Sequence, residues 1–184
     1  MSAYWTPPQS RHKVFVSYYH RDDQRYCDQF VKKYLHLLTC KSVQPGEISG
    51  ELSADYIKRL IQKEYLTDAS VVVVLIGAKT YCRKHVDWEI SAALNRKGGG
   101  YSGLLGILLP TYLLNPEGNF SYENVPFRLA DNVKSGYCDV YLWNWVCAED
   151  SRIRDAVQVA FDARISRADK IDNSRPPFSK NLGD

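Results

Sequence analysis

The run Val71-Val-Val-Val-Leu-Ile76 constrains this chain more than any other stretch. Six consecutive apolar, mostly β-branched residues, with Asp68-Ala-Ser before them and Gly77 after, do not alternate between core and water. They read as a strand buried on both faces, at the centre of a parallel sheet. A short turn later the pattern becomes helical, with Val86, Ile90, Ala93 and Leu94 recurring at intervals of three and four. Glu89 lies inside that apolar arc. At roughly 100° per residue it stands within about 60° of Val86 and Ala93, so its carboxylate tends toward the sheet. An acid there is costly unless something uses it. The bland alternatives are an acid at the edge of the face reaching for solvent, or one paired with Arg83 or Lys97.

With 184 residues and 45% hydrophobic content, the chain suits one soluble domain with a sizeable core. A net charge of +3, with Lys and Arg scattered, gives no footprint for nucleic acid or for a membrane surface. No apolar segment is long enough to span a bilayer, and the leader MSAYWTPPQSRHK lacks the apolar core of a secretory signal. Cys27, Cys40, Cys82, Cys138 and Cys147 form an odd set without CxxC spacing, as expected of reduced thiols in the cytoplasm, and suggest neither a zinc site nor a disulfide framework.

In chain order, residues 1–12 form a flexible leader and Lys13-Val-Phe-Val-Ser-Tyr a first strand. A polar loop from Ser17 to Asp23 opens a helix whose N-terminus Asp22 or Asp23 favours; its stripe is Cys27, Phe30, Val31, Tyr34, Leu35 and Leu38. Pro45-Gly46 marks a turn in a stretch with room for a short second strand. Ser53 is an N-cap for a helix carrying Ile57, Leu60, Ile61 and Leu66. Gly98-Gly-Gly stops the Glu89 helix; it lacks a phosphate-loop frame and follows a helix instead of a strand. Leu104 to Leu109 is a third strong strand, ended by Pro110. Residues 111–136 read as an irregular excursion with a turn at Asn115-Pro-Glu-Gly. Tyr137 to Trp143 is the last strand. Ser151 to Ala168 is a helix with Ile153, Val157, Phe161 and Ile165 on one face, and 169–184 is a flexible tail. The pattern predicts a single α/β domain over 13–168, a parallel sheet with helices on both faces joined by right-handed crossovers.

Ligands of open parallel sheets bind beyond the carboxyl ends of the strands, where strand order reverses. If the first and central strands are neighbours, the loops Ser17–Asp23 and Gly77–Glu89 rim one crevice. It contains Ser17, Tyr18, Tyr19, His20, Tyr81, Cys82, Trp88 and Glu89. Aromatic faces, hydroxyls and one semi-buried acid suit a nucleotide or a sugar. Cys82 has no evident base to make it a nucleophile.

Three segments carry a family resemblance: Val14-Phe-Val-Ser-Tyr-Tyr-His, Thr67-Asp-Ala-Ser-Val-Val-Val-Val-Leu-Ile-Gly, and Thr80-Tyr-Cys-Arg-Lys-His-Val-Asp-Trp-Glu-Ile. Together they resemble the TIR-like domains of bacteria, and more narrowly the TIR-like protein of Thoeris anti-phage defence systems, over about Lys13 to Pro110. The resemblance implies a flavodoxin-like fold and a catalytic glutamate after an aromatic residue, a role that falls on Glu89 with Trp88 before it. Relatives commonly carry a tryptophan where this chain has His85. The implied reaction is cleavage of NAD+ as substrate, with no prosthetic group, releasing nicotinamide. The ADP-ribosyl part would become a cyclic or conjugated signal for a partner effector, and a homo-oligomer would form on activation. Tyr18, Tyr19 and Trp88 are candidates to stack on a ring, and Ser17 and His20 to orient ribose or phosphate. The competing classes are a non-enzymatic TIR-like adaptor acting by self-association, marked by a solvent-facing Glu89 and a closed crevice, and a nucleoside or ribosyl transferase, which would need a second acid or a phosphate loop.

Overall fold

The computed structural model of the chain describes residues 11–43, 60, 63–64, 66–96, 98 and 100–183. The Pro45-Gly46 turn, Ser53 with most of the helix expected after it, Lys97 and the first ten residues lie outside that set. The elements are β1 (His12–Ser17), α1 (His20–Tyr34), β2 (Leu38–Lys41), β3 (Val71–Ile76), α2 (Lys84–Ala93), β4 (Gly103–Leu108), α3 (Phe127–Lys134), β5 (Asp139–Leu142), α4 (Trp143–Ala148) and α5 (Asp150–Ser166).

All strand pairs are parallel, in the order β2-β1-β3-β4-β5. From β1 the chain steps outward to β2, then returns on the other side of β1 as β3. That reversal puts the topological switch point between β1 and β3, the flavodoxin-like arrangement. Ser17 pairs with Val74, so β1 ends two residues short of the end of β3. All six residues of β3 are buried. Val72, Val74 and Ile76 pack with Phe15 and with Val86 and Ile90 of α2, while Val71, Val73 and Leu75 pack with Phe30 of α1 and Val157 of α5. Two apolar layers, one on each sheet face, therefore share the central strand.

Several elements depart from the sequence expectation. The α1 stripe ends at Tyr34, where the chain turns through Leu37; Leu35 is 57% exposed and Leu38 opens β2. α2 ends at Ala93, ahead of the glycines expected to stop it. The excursion 111–136 keeps its turn, where Asn119 N and Gly118 N donate to Asn115, but it also contains α3. The last strand is four residues long, and Trp143 begins a helix. On α5 the buried face is Ile153, Ala156, Val157, Ala160 and Ala163; Ile165 is solvent-exposed. Small residues carry that contact because Gly103 of β4 lies against the Ala160 carbonyl, where a Cβ would clash. Among the described residues no helix is long and apolar enough to cross a membrane.

The stretch read as a flexible tail instead runs over α2 and α3. Asn132 exchanges hydrogen bonds with the backbone of Asp172, and Arg175 grips Asp131 with two at 2.8 and 3.0 Å. Beneath it a buried ion pair joins the two helices, Arg128 Nε donating to Asp87 Oδ1 at 2.9 Å and Nη2 to Oδ2 at 3.3 Å. Removing one partner of such a pair strands a charge in the core. Arg128→Ala should therefore cost about 3–5 kcal/mol of stability, with Arg128→Met milder, as measured by urea denaturation.

Candidate active site

The polypeptide brings Ser17 and Glu89 together because β1 ends where α2 passes over the sheet. Ser17 shares the strand parity of Phe15, so its side chain points to the α2 face; Glu89 lies one turn beyond His85 on that helix. Ser17 Oγ donates to Glu89 Oε2 at 2.5 Å, and the two residues are 1% and 2% exposed. The acid does not reach solvent, and the Arg83 guanidinium lies 4.3 Å over the Tyr19 ring; the alternative partner Lys97 lies outside the described residues. Burial pushes the Glu89 carboxyl up to about 8, with the Ser17 hydrogen bond pulling the other way. Burial thus favours the protonated form of the resting acid.

Beside this pair, the N-termini of α1 and α2 meet. His20 and His85 lie with ring centroids 5.2 Å apart, and Tyr19 lies 6.2 Å from His85. His85 Nε2 donates to the Tyr18 carbonyl at 3.2 Å. Burial, reinforced by His20, pushes its imidazole down to about 4, so it is neutral. His85 fills a packing position between the two helix starts.

The other expected site residues separate into two places. Tyr19 and His20 are half-buried next to His85, on the Ser17 side. Tyr18 is fully buried in the α1 layer, its hydroxyl donating to Gln24 at 2.7 Å, so it presents no face to the crevice. Trp88 and Tyr81 lie toward α3 and the C-terminal segment: Trp88 Nε1 donates to the Phe178 carbonyl at 2.8 Å, and Tyr81 lies 6.4 Å from the Phe127 ring. Cys82 is buried and donates to the Lys79 carbonyl at 3.1 Å.

Asp23 is the residue that sequence reasoning placed too simply, as a helix-start acid. It is 1% exposed at the carboxyl end of β3 and accepts from Thr80 Oγ1 at 3.2 Å and from Thr111 Oγ1 at 3.4 Å. Thr80 Oγ1 in turn accepts from Gly77 N at 2.8 Å. A Cβ at Gly77 would lie within 2.4 Å of the Asp23 carboxylate, so only glycine admits this approach. The knot ties the start of α1 to the loops after β3 and β4. Burial raises the Asp23 carboxyl above its ordinary range, against the two hydroxyl bonds. The signal was present: Asp23 continues the buried 27-30-34 spacing of α1 back by one turn. Among the described residues, no group of three His, Cys, Asp or Glu is placed to hold a metal ion.

The family model of the TIR-like domain of the Thoeris protein ThsB matches residues 15–112, 98 of the 184 residues. That span runs from the second half of β1 through β4 and includes Ser17, Asp23 and Glu89. Among solved structures, the TIR domains of the activated Roq1 resistosome that directly recognises the pathogen effector XopQ align at a TM-score of 0.42 with 11% identity, over 86% of this chain and 84% of that one. No curated protein matches the chain.

The elevated Glu89 carboxyl makes stability depend on pH in a defined direction. Below its ordinary value of 4.5 both folded and unfolded chains hold the proton, and this contribution is fully present. As pH rises from 4.5 toward 8 the unfolded chain ionises while the folded one does not, so stability falls through that window. Glu89→Gln should flatten the fall and stabilise the fold at pH 8 by a few kcal/mol, as read from thermal melts across pH 5–9.

Proposed function

The chain belongs to the TIR-like domain family of the Thoeris protein ThsB, and from that premise we propose that it is an NAD+-cleaving enzyme of anti-phage defence with Glu89 as its catalytic carboxylate. The observation that carries this reading is the burial of Glu89 at the switch point of a parallel sheet, with Ser17 as its hydrogen-bond partner. Of the two marks of an adaptor, a solvent-facing acid is not what this helix presents, whereas a covered site is.

The chemistry asks little of a second acid. Nicotinamide bound to ribose is a cation and leaves as a neutral ring, so protonation of the leaving group is unnecessary, unlike ordinary glycoside cleavage with its two carboxylates. Glu89 accepts hydrogen bonds from the ribose hydroxyls and stabilises the positive charge that develops on the ribosyl carbon as the C–N bond lengthens. It must be ionised to do so. The positive pyridinium ring favours the ionised carboxylate once it is near, which opposes the effect of burial. Ser17 holds the carboxyl in place between turnovers, and Tyr19 and His20, half-buried at the adjoining helix starts, are positioned to meet the ring or the phosphates. The ADP-ribosyl group then passes to water, to one of its own atoms or to another nucleophile, yielding the signal that a partner effector reads. With both reacting residues covered, assembly into a homo-oligomer is the proposed step that opens the site.

The purified chain, incubated with NAD+ with and without extract from phage-infected cells and under forced assembly, should release nicotinamide detectable by mass spectrometry. Glu89→Gln should lower that rate by about a hundredfold or more. Undiminished release from this variant would sink the catalytic assignment, and no turnover of the wild-type chain under any of these conditions would favour the adaptor. Ser17→Ala removes a hydrogen bond that favours the ionised acid, so the rising limb of the pH–rate profile should move to higher pH by about one pH unit.

A further inference from the structure

The C-terminal segment beyond the family match follows one stripe of the Glu89 helix. Asn181 Oδ1 accepts from the backbone N–H of Lys84 at 3.0 Å, and Leu182 N donates to the Cys82 carbonyl at 2.9 Å. Phe178 engages two adjacent residues through its main chain: its N–H donates to Asp87 Oδ2 at 2.9 Å and its carbonyl accepts from Trp88 Nε1 at 2.8 Å. Asn173 Nδ2 donates to the Ser91 carbonyl at 3.1 Å and to Asn95 Oδ1 at 3.0 Å, while its own Oδ1 accepts from Arg128. Residues 84, 87, 88 and 91 fall within an arc of roughly 100° on the helix, with Asn95 just past the helix end, and Glu89 lies about 150° from the centre of that arc.

The bonds at the two ends are caps. Arg83, the residue preceding α2, makes no side-chain cap, and Asn181 supplies from far along the chain the acceptor that a local Ser, Asp or Asn normally provides. At the other end Asn95 N donates to the Ala92 carbonyl, so Ser91 O lacks its usual helical donor and takes one from Asn173. A helix held at both ends and along the stripe between them has a fixed rotation and axial position.

We propose that residues 172–182 are a positioning element of the active site, which sets the rotation of α2 and thereby seats the Glu89 carboxyl against Ser17. The functional unit then extends about 70 residues past the end of the family match at 112. The proposal rests on Glu89 being the reacting acid, and its test has one arm that does not depend on activity.

In the full chain, Asn181→Leu removes the cap and Asn181→Asp retains an acceptor suited to the positive helix start. Asn181→Leu should speed hydrogen exchange of the first-turn amides of α2 about tenfold and weaken the fall of stability between pH 4.5 and 8, because Glu89 is no longer held in its buried seat. Asn181→Asp should restore both. Under the assembly conditions above, nicotinamide release at saturating NAD+ should fall by about tenfold in Asn181→Leu with a smaller change in KM, and recover in Asn181→Asp. Wild-type exchange in α2 together with a wild-type pH dependence of stability in Asn181→Leu would overturn the proposal on its own. So would a variant whose melting temperature drops while its kcat, assayed well below the melt, and its pH–rate profile stay unchanged. A wild-type chain that releases no nicotinamide overturns the reading of Glu89, and with it the catalytic role of the segment; the exchange arm still decides whether the segment seats the helix.

Discussion

A single hydrogen bond between two buried side chains, Ser17 Oγ to Glu89 Oε2, is the contact around which the candidate site is arranged. Transferring a carboxylate from water into a protein interior is strongly unfavourable unless charge, hydrogen bonds or a proton compensates. Here the compensation is the proton together with Ser17, and it requires the end of β1 to meet the second turn of α2. Only a sheet whose order reverses between β1 and β3 leaves an opening there that the side chain of a covering helix can enter. The parallel topology therefore creates the buried place that the acid occupies, and the two apolar layers sharing β3 hold that topology in place.

The remaining polar core can be understood as a set of ties around that opening. Asp23 fastens the start of α1 to the loops after β3 and β4 through two threonine hydroxyls. The Asp87–Arg128 pair joins α2 to α3, and the C-terminal segment adds the N–H of Phe178 to the same carboxylate. Each tie is polar and directional where the adjacent packing is apolar and tolerant. Valine against isoleucine permits small sliding, whereas a bidentate guanidinium does not. Val86 and Ile90 hold α2 against the sheet, and these directional bonds add a fixed angle and register to that packing.

What the sequence reveals and conceals follows the same division. Val71–Ile76 and the inward tilt of Glu89 are legible because both are periodic over a single element, and the sheet corroborates both. Tyr18 misleads because Ser17-Tyr-Tyr-His reads as a polar loop, yet the strand alternation Val14, Val16 continues one step further and sends Tyr18 into the α1 layer. Asp23 was legible in principle from its place one turn before Cys27, but a charged residue beside a helix start has an ordinary explanation that hides the unusual one. β2 is four residues long, and α3 is eight residues long behind a proline, too short for periodicity to accumulate. The C-terminal segment is opaque for a different reason. Its attachments are main-chain groups, asparagine amides, the Arg175 guanidinium and one aromatic contact of Phe178, too few apolar groups to leave a pattern, and Arg175-Pro-Pro-Phe178 reads as a terminus.

The elevation of the Glu89 carboxyl has a further consequence for the proposed reaction. An acid that is protonated at rest carries no charge to attract water or stray cations, so the covered site is stable while idle. On the proposed mechanism it would act only when a cation arrives to favour the ionised form, and the substrate of that reaction is itself cationic at the bond that breaks. Opening the site by assembly admits water and lowers the cost of ionisation; binding the pyridinium lowers it again. Both steps act on the same proton equilibrium, so together they charge the acid more than either does alone. Under this mechanism the burial that makes Glu89 look misplaced in an apolar helix face is what keeps an enzyme directed at an abundant cellular nucleotide quiet until it is assembled.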